Sequence, residues 1–172
     1  MGLSALSLRA AIRLSRRNTT HDTNHKGAAM DTNESPVMAI SDAETWELLR
    51  VTQLGRLAAH AADQLDIFPI NYVVDGSSLV FRTAPGTKLL ELTVNQSVAF
   101  EIDGGSEHMV WAVIVKGTAE ELHRQADIDH AEQLELTSWV ATPKDRYVRI
   151  TPTTVTGRRF ARGPAPEVEL TY

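Results

Sequence analysis

The stretch FPINYVVDGSSLVFRTAPGTKL, residues 68–89, decides the reading of this chain. Two β-branched and aromatic runs, Ile67 to Val74 and Leu79 to Thr83, flank Asp75-Gly76. That dipeptide between two such runs is the signal of a tight hairpin, so both runs are expected to be antiparallel strands. A turn with Pro85 and Gly86 then feeds a short helix, Lys88 to Val94, that begins near Thr87 and carries Leu89, Leu90 and Leu92.

Upstream, Ser41-Asp42-Ala43-Glu44 has the form of a capping box. It opens a helix over 42–53 that Gly55 is expected to end as a left-handed cap. Arg56 to Ala61 reads as a strand. Downstream, Val98 to Ile102 and Met109 to Leu122 read as strands, Asp127 to Leu136 as a helix, and Tyr147 to Phe160 as a strand pair or one bent strand. Strands joined by hairpins point to an antiparallel barrel rather than a βαβ sheet. The expected fold is mainly β with short helices.

Composition sets the outer limits. The chain has 172 residues, 42% of them apolar, enough for one domain with a real core. The net charge of −5 argues against nucleic acid as main partner. The absence of cysteine excludes disulfides, thiolate metal sites and cysteine nucleophiles, and fits a cytoplasmic protein. No run approaches the roughly 18 to 20 apolar residues that cross a bilayer. His21, His25, His60, His108, His123 and His130 show no paired metal-ligand spacing. Charge is uneven: Arg9, Arg13, Arg16, Arg17 and Lys26 against Asp22 put about +4 on residues 1–30, leaving about −9 on the rest. Residues 1–36 read as a basic, polar tail expected to be disordered, with the composition of a targeting peptide in its first part. Translation from Met30 or Met38 is the alternative. Residues 37–162 form the expected domain, and 163–172 a second tail.

The chemistry centres on Arg82-Thr83-Ala84-Pro85-Gly86-Thr87-Lys88. A helix start offers unpaired N–H groups and a partial positive charge to a phosphate. Arg82 and Lys88 add formal charge, Thr83 and Thr87 add hydroxyl donors, and Gly86 permits close backbone approach. The ordinary alternative is a strand-edge charge at Arg82 and a plain helix cap at Thr87. The glycine spacing is not that of a Walker loop. Pro69 marks an edge or bulge, so Pro69, Ile70, Asn71 and Tyr72 can offer free backbone groups and apolar surface to a planar ring, or form a plain edge strand. Trp111 alternates with Val113 and Val115, which places it in the core or at a dimer interface. Arg158 and Arg159 meet an anionic ligand or solvent.

The segments TWELLRVTQLGRLAA, FPINYVVDGSSLVFRTAPGTKL, SVAFEID, VWAVIVKGTAEEL and YVRITPTTVTGRRF together resemble the pyridoxamine 5′-phosphate oxidase-like superfamily, the flavin-binding split barrels, over about residues 40–162. The resemblance implies a six-stranded antiparallel Greek-key split barrel and a homodimer with two FMN sites at its interface. It implies that Arg82, Thr83, Thr87 and Lys88 hold the phosphate, and that Pro69 to Tyr72 line the isoalloxazine ring. The strand with Trp111 and Ala112 would reach the flavin from the partner, with Arg158 close by. The glutamine of true pyridoxamine phosphate oxidases has no counterpart at Trp111 or Ala112. Their terminal Trp-Arg and Arg-x-His patterns are replaced by VTGRRF. The resemblance is closer to small bacterial flavoproteins such as nitroimidazole reductase-like proteins. The expected activity is FMN-dependent electron transfer from a nicotinamide donor to a small acceptor, with no catalytic side chain singled out. The alternatives are a deazaflavin coenzyme or haem in the same fold, or a non-enzymatic flavin-binding protein.

Overall fold

The computed structural model describes residues 37–137, 139 and 143–163. Of the ends read as tails, 1–36 and 163–172, all but residue 163 lie outside the described residues.

In order, the elements are β1 (Val37–Ile40), α1 (Asp42–Val51), β2 (Leu54–Ala61), β3 (Gln64–Asp75), β4 (Ser78–Thr83), α2 (Thr87–Val94), β5 (Ser97–Gly105), β6 (Met109–Glu121), α3 (Gln125–Glu132) and β7 (Arg146–Ala161). All strand pairings are antiparallel, in the order β1-β7-β4-β3-β2-β5-β6, and β6 also pairs with β7. The sheet therefore closes on itself, with β1 added outside β7. Alternation decides what enters the core. Along β6, Val113, Val115 and Ala119 are fully buried while Ile114, Lys116 and Glu120 face out. Leu57, Phe81, Phe100, Ile102, Val148 and Ile150 meet them inside, and Leu49 of α1 joins the same cluster.

Several expectations are corrected. The sequence reading has six strands; the described residues have seven, because β1 has only four residues, three of them exposed, and no alternation to reveal it. Helix α1 ends at Val51, and its cap is Thr52 in an extended conformation. Gly55 is no helix cap: it lies in β2 opposite Ile70. Gly76 of the hairpin is the described glycine with positive φ, at 61°. Gly55 is needed for closeness, since a Cβ there would stand 2.2 Å from Cζ of Phe100 and 2.9 Å from the Glu101 carbonyl oxygen. The capping box is half formed. Ser41 Oγ accepts the Glu44 N–H at 3.3 Å, but the Glu44 carboxylate goes to Arg159. Helix α3 starts earlier and ends sooner than expected. The last strand is one strand of 16 residues, irregular opposite Lys116 and Gly117.

Two features position the site. First, β3 pairs with β2 along Gln64–Asn71 but with β4 only from Tyr72 onward, so the Pro69 stretch overhangs β4. Second, α3 covers the outer face of the sheet, where Ile128, Ala131, Leu134 and Leu136 pack on Val73, Val80 and Tyr147. His130 Nε2 lies 3.0 Å from Asp75, whose other oxygen meets Arg149 at 2.8 Å, and this pins α3 to the hairpin.

Candidate functional site

The corner between β4 and α2 is built by strand parity. Leu79, Phe81 and Thr83 point into the barrel, while Val80 and Arg82 point out beneath the α3 layer. The chain then turns through 84–86 into α2. Its N-cap, Gly86, provides no side-chain hydrogen bond, and the first turn holds no acid. The partial positive charge at the head of α2 is thus uncompensated by its own first turn. Lys88, half-buried, carries its ammonium over the rings of Phe68 at 5.2 Å and Phe81 at 5.9 Å. Among the described residues no carboxylate lies within ion-pair distance of it. Burial, and secondly the charge of Lys144, hold its pKa below the ordinary lysine value.

The other predicted residues at this corner have local partners. Arg82 donates from Nε (2.9 Å) and Nη2 (2.5 Å) to the Lys144 carbonyl and lies 5.3 Å from the centre of the Tyr147 ring. Thr83 is buried, and its hydroxyl donates to the Ala84 carbonyl at 3.2 Å. Thr87 is exposed at the helix start. Along β3, Ile70 and Tyr72 point into the core, where the Tyr72 hydroxyl donates to the Leu49 carbonyl at 2.8 Å. Pro69 is exposed. Half-buried Asn71 donates to the Gln53 carbonyl and accepts from the Trp139 N–H. Only Pro69 and Asn71 of the four present side chains outward. Phe68 was passed over in the sequence. Its alternation with Ile70 and Tyr72 is the signal that turns it inward, towards Lys88.

Trp111 and Arg158 are not brought together. Trp111 faces inward with Val113, across Gly104, and pairs in register with Arg159. Arg158 is exposed on the opposite face, beside Ala39 and Ala112. Arg159, paired with Arg158 in the sequence but not among the residues expected at the flavin, is held by Glu44 and joins Gly105, Ser106, Met109 and Trp111 around a cavity of about 370 Å³. Both residues stand far from the corner within one chain. Arg82 pairs with Tyr147, and the eleven residues from there to Arg158 span roughly 35 Å of strand.

Beneath α2, Glu91 is buried, and its Oε2 has no hydrogen-bond partner. Burial, then the neighbouring Asp66, pushes its pKa up. A raised native pKa means that stability is greatest in acid and is lost as pH rises from the ordinary glutamate range through the native value. Glu91→Gln is therefore expected to be more stable than the parent at neutral pH and equal to it in acid. Urea midpoints at the two pH values test this, and parallel pH profiles would refute it.

No group of three or more metal-ligating side chains occurs among the described residues, and no described helix is long and apolar enough to cross a membrane. Fold and site together define a small antiparallel β-barrel protein with a cation-rich corner where a strand meets a helix. Residues 41–159 match the family described as pyridoxamine 5′-phosphate oxidase, and the chain belongs to that family. A Corynebacterium glutamicum protein provisionally named a pyridoxamine 5′-phosphate oxidase is 39% identical, with a TM-score of 0.70 over 76% of this chain and 98% of its own. An FAD-binding protein from Mycobacterium smegmatis is also 39% identical, with a TM-score of 0.63 over 72% and 98%. An FAD-binding protein from Mesorhizobium loti is 26% identical, with a TM-score of 0.62 over 74% and 98%.

Proposed function

We propose that this chain is a cytoplasmic flavin-binding oxidoreductase that works as a homodimer, takes FMN, and passes electrons from a nicotinamide donor to a small acceptor. The observation that carries the reading is the half-buried ammonium of Lys88, set between two aromatic rings beside the uncompensated start of α2. A half-buried cation without a carboxylate loses part of its hydration, and an anion beside it offsets that loss. A phosphate monoester suits this donor set: backbone N–H groups, the Thr87 hydroxyl and Lys88. The FAD-binding relatives support a flavin and make FAD the second reading.

When bound, the flavin supplies reversible two-electron chemistry, and the protein's work is to bind, orient and shield it. The α2 start and Lys88 hold the phosphate. The overhanging backbone of Pro69 to Asn71 faces the ring. Trp111 and Arg158, too far away in the same chain, come from a second copy. Two adjacent rows on the outer sheet face suit that copy: Ile67, Ala58 and Ala99, then Pro69, Arg56, Glu101 and Ile114. Ile67 is 64% exposed and Ile114 42%. Arg56 lies in this face within 2.8 Å of Glu101 and 2.6 Å of Asp103, so its charge is balanced inside one chain.

The test is the absorption spectrum of the purified protein, then mass measurement of the released ligand and sedimentation. The expected result is a yellow dimer that releases FMN and whose flavin is reduced by NADH or NADPH. Release of FAD or a deazaflavin coenzyme would replace the cofactor assignment. A colourless protein that takes up neither added FMN nor FAD would overturn the reading.

A further inference from the structure

We infer that α3 is a strap over the outer sheet face, and that its latch, the contact of His130 with Asp75, is tight in acid and loosens as pH rises through the histidine range. This stands apart from the flavin reading. The strap has its own apolar floor. Ile128 and Ala131 of α3, with Leu134 and Leu136 behind them, pack on Val73, Val80, Leu122 and Tyr147, a cluster separate from the barrel core. Such a satellite layer can open while the barrel stays folded. Val80 and Tyr147 are buried beneath it, so its release exposes apolar surface on the outer side of β4.

The polar contacts at the hairpin decide how firmly it is held. His130 Nε2 lies 3.0 Å from one Asp75 oxygen, while Arg149 Nη1 holds the other at 2.8 Å and donates to Ser78 Oγ at 2.6 Å. The Ser78 hydroxyl donates in turn to the Asp75 carbonyl at 2.8 Å. His130 comes from α3, and the other three from the barrel. The hydrogen bond from His130, aided by Arg149 and opposed by burial, holds the Asp75 carboxyl below the ordinary aspartate value. Asp75 is therefore charged across the neutral range, and a carboxylate only accepts, so Nε2 carries the proton of this bond. A proton added at Nδ1 turns an ordinary hydrogen bond into an ion pair. The surrounding charges favour that proton. His130 lies in the last turn of α3, where the helix dipole favours a cation. Asp127, Asp129 and Glu132 flank it on α3, with Asp127 engaged by Arg124 and Asp129 by Gln125. β6 brings Glu120, opposite Arg149 in register. Arg149 of β7 is the opposing cation, and it is engaged by Asp75 and Ser78. The ion pair is thus present below the ordinary histidine value of about 6.5 and fades above it, while the Asp75 charge is lost only in much stronger acid.

The experiment is hydrogen exchange of the full chain, read by mass spectrometry as protection factors at about pH 5 and about pH 8, on either side of the ordinary histidine value. In the parent, α3 is expected to be less protected than β5 and β6 at both pH values. Its protection is expected to fall about two- to fivefold from the lower pH to the higher, the size of an exposed ion pair. His130→Gln keeps a polar side chain without the charge, and α3 is expected to show the low protection at both pH values. His130→Lys keeps the charge through the whole range, and the high protection is expected at both. His130 is 54% exposed, so neither substitution empties the core. An α3 as protected as β5 and β6 overturns the strap. A pH dependence of α3 that is missing from the parent, or that survives in His130→Gln, overturns the latch. Low protection of α3 in His130→Lys at both pH values also overturns it, because the shape of the ring and not its charge would then hold the strap.

Discussion

Replacing Lys88 and Arg82 together by alanine is expected to weaken FMN at least about 100-fold while leaving riboflavin affinity within a few-fold of the parent. Charge-assisted hydrogen bonds are worth about 1.5–3 kcal/mol each, and a factor of 100 corresponds to about 2.7 kcal/mol. The double variant removes the Lys88 contact directly. It also removes the Arg82 charge beside the corner and the two bonds by which Arg82 holds the backbone carbonyl of Lys144. Lys88 is not an ordinary surface lysine. Its ammonium lies against Phe68 and Phe81, so water screens its attraction for a phosphate less than on an open surface. Its lowered pKa adds a pH signature. FMN affinity should begin to fall at a lower alkaline pH than an exposed lysine would give, and the Lys88→Ala variant should lose that limb. Fluorescence titration with both ligands across pH makes the check. Unchanged FMN affinity in the double variant would show that the phosphate lies elsewhere.

What could be read from the sequence follows from how local each signal is. The β3–β4 hairpin, the turn at 84–86 and α2 were legible because Asp75-Gly76, Pro85 and Gly86 interrupt runs of clear period. β6 was legible as a strand from its β-branched run, and the phase of Trp111, Val113 and Val115 was read from it, while the full alternation of buried and exposed residues over 113–120 is seen only in the structure. β1 was not legible: four residues with one buried carry no period, and only the partner β7 makes them a strand. Gly55 misled because a glycine after a helix has two common uses, a left-handed cap and a close approach, and the chain alone does not separate them. Trp111 and Arg158 were grouped by resemblance. Their placement on opposite faces depends on the β6–β7 register, which pairs Trp111 with Arg159 instead.

The Gly55–Phe100 contact carries the largest expected effect on stability. Phe100 is fully buried, its ring 4.7 Å from that of Tyr72 and inclined at 71°. Phe100→Ala is expected to cost about 3–5 kcal/mol, the usual range for emptying such a site. That is a large share of the roughly 5–15 kcal/mol of a typical domain. Gly55→Ala approaches the same contact from the other side. The added methyl would stand 2.2 Å from the Phe100 ring, and the ring has little room to retreat because Tyr72 behind it is anchored on the Leu49 carbonyl. The Glu101 carbonyl, 2.9 Å from the same point, closes the other direction. Overpacking of this kind costs about 1–3 kcal/mol, and the upper end is expected here. The two losses should not add. With the Phe100 ring removed, the alanine methyl loses its nearest clash and keeps the one with the Glu101 carbonyl, so Gly55→Ala is expected to cost less in that background than in the parent. Urea unfolding of the parent, both single variants and the double variant measures the coupling. An equal cost in both backgrounds would show that the Glu101 carbonyl, and not the Phe100 ring, sets the penalty at Gly55.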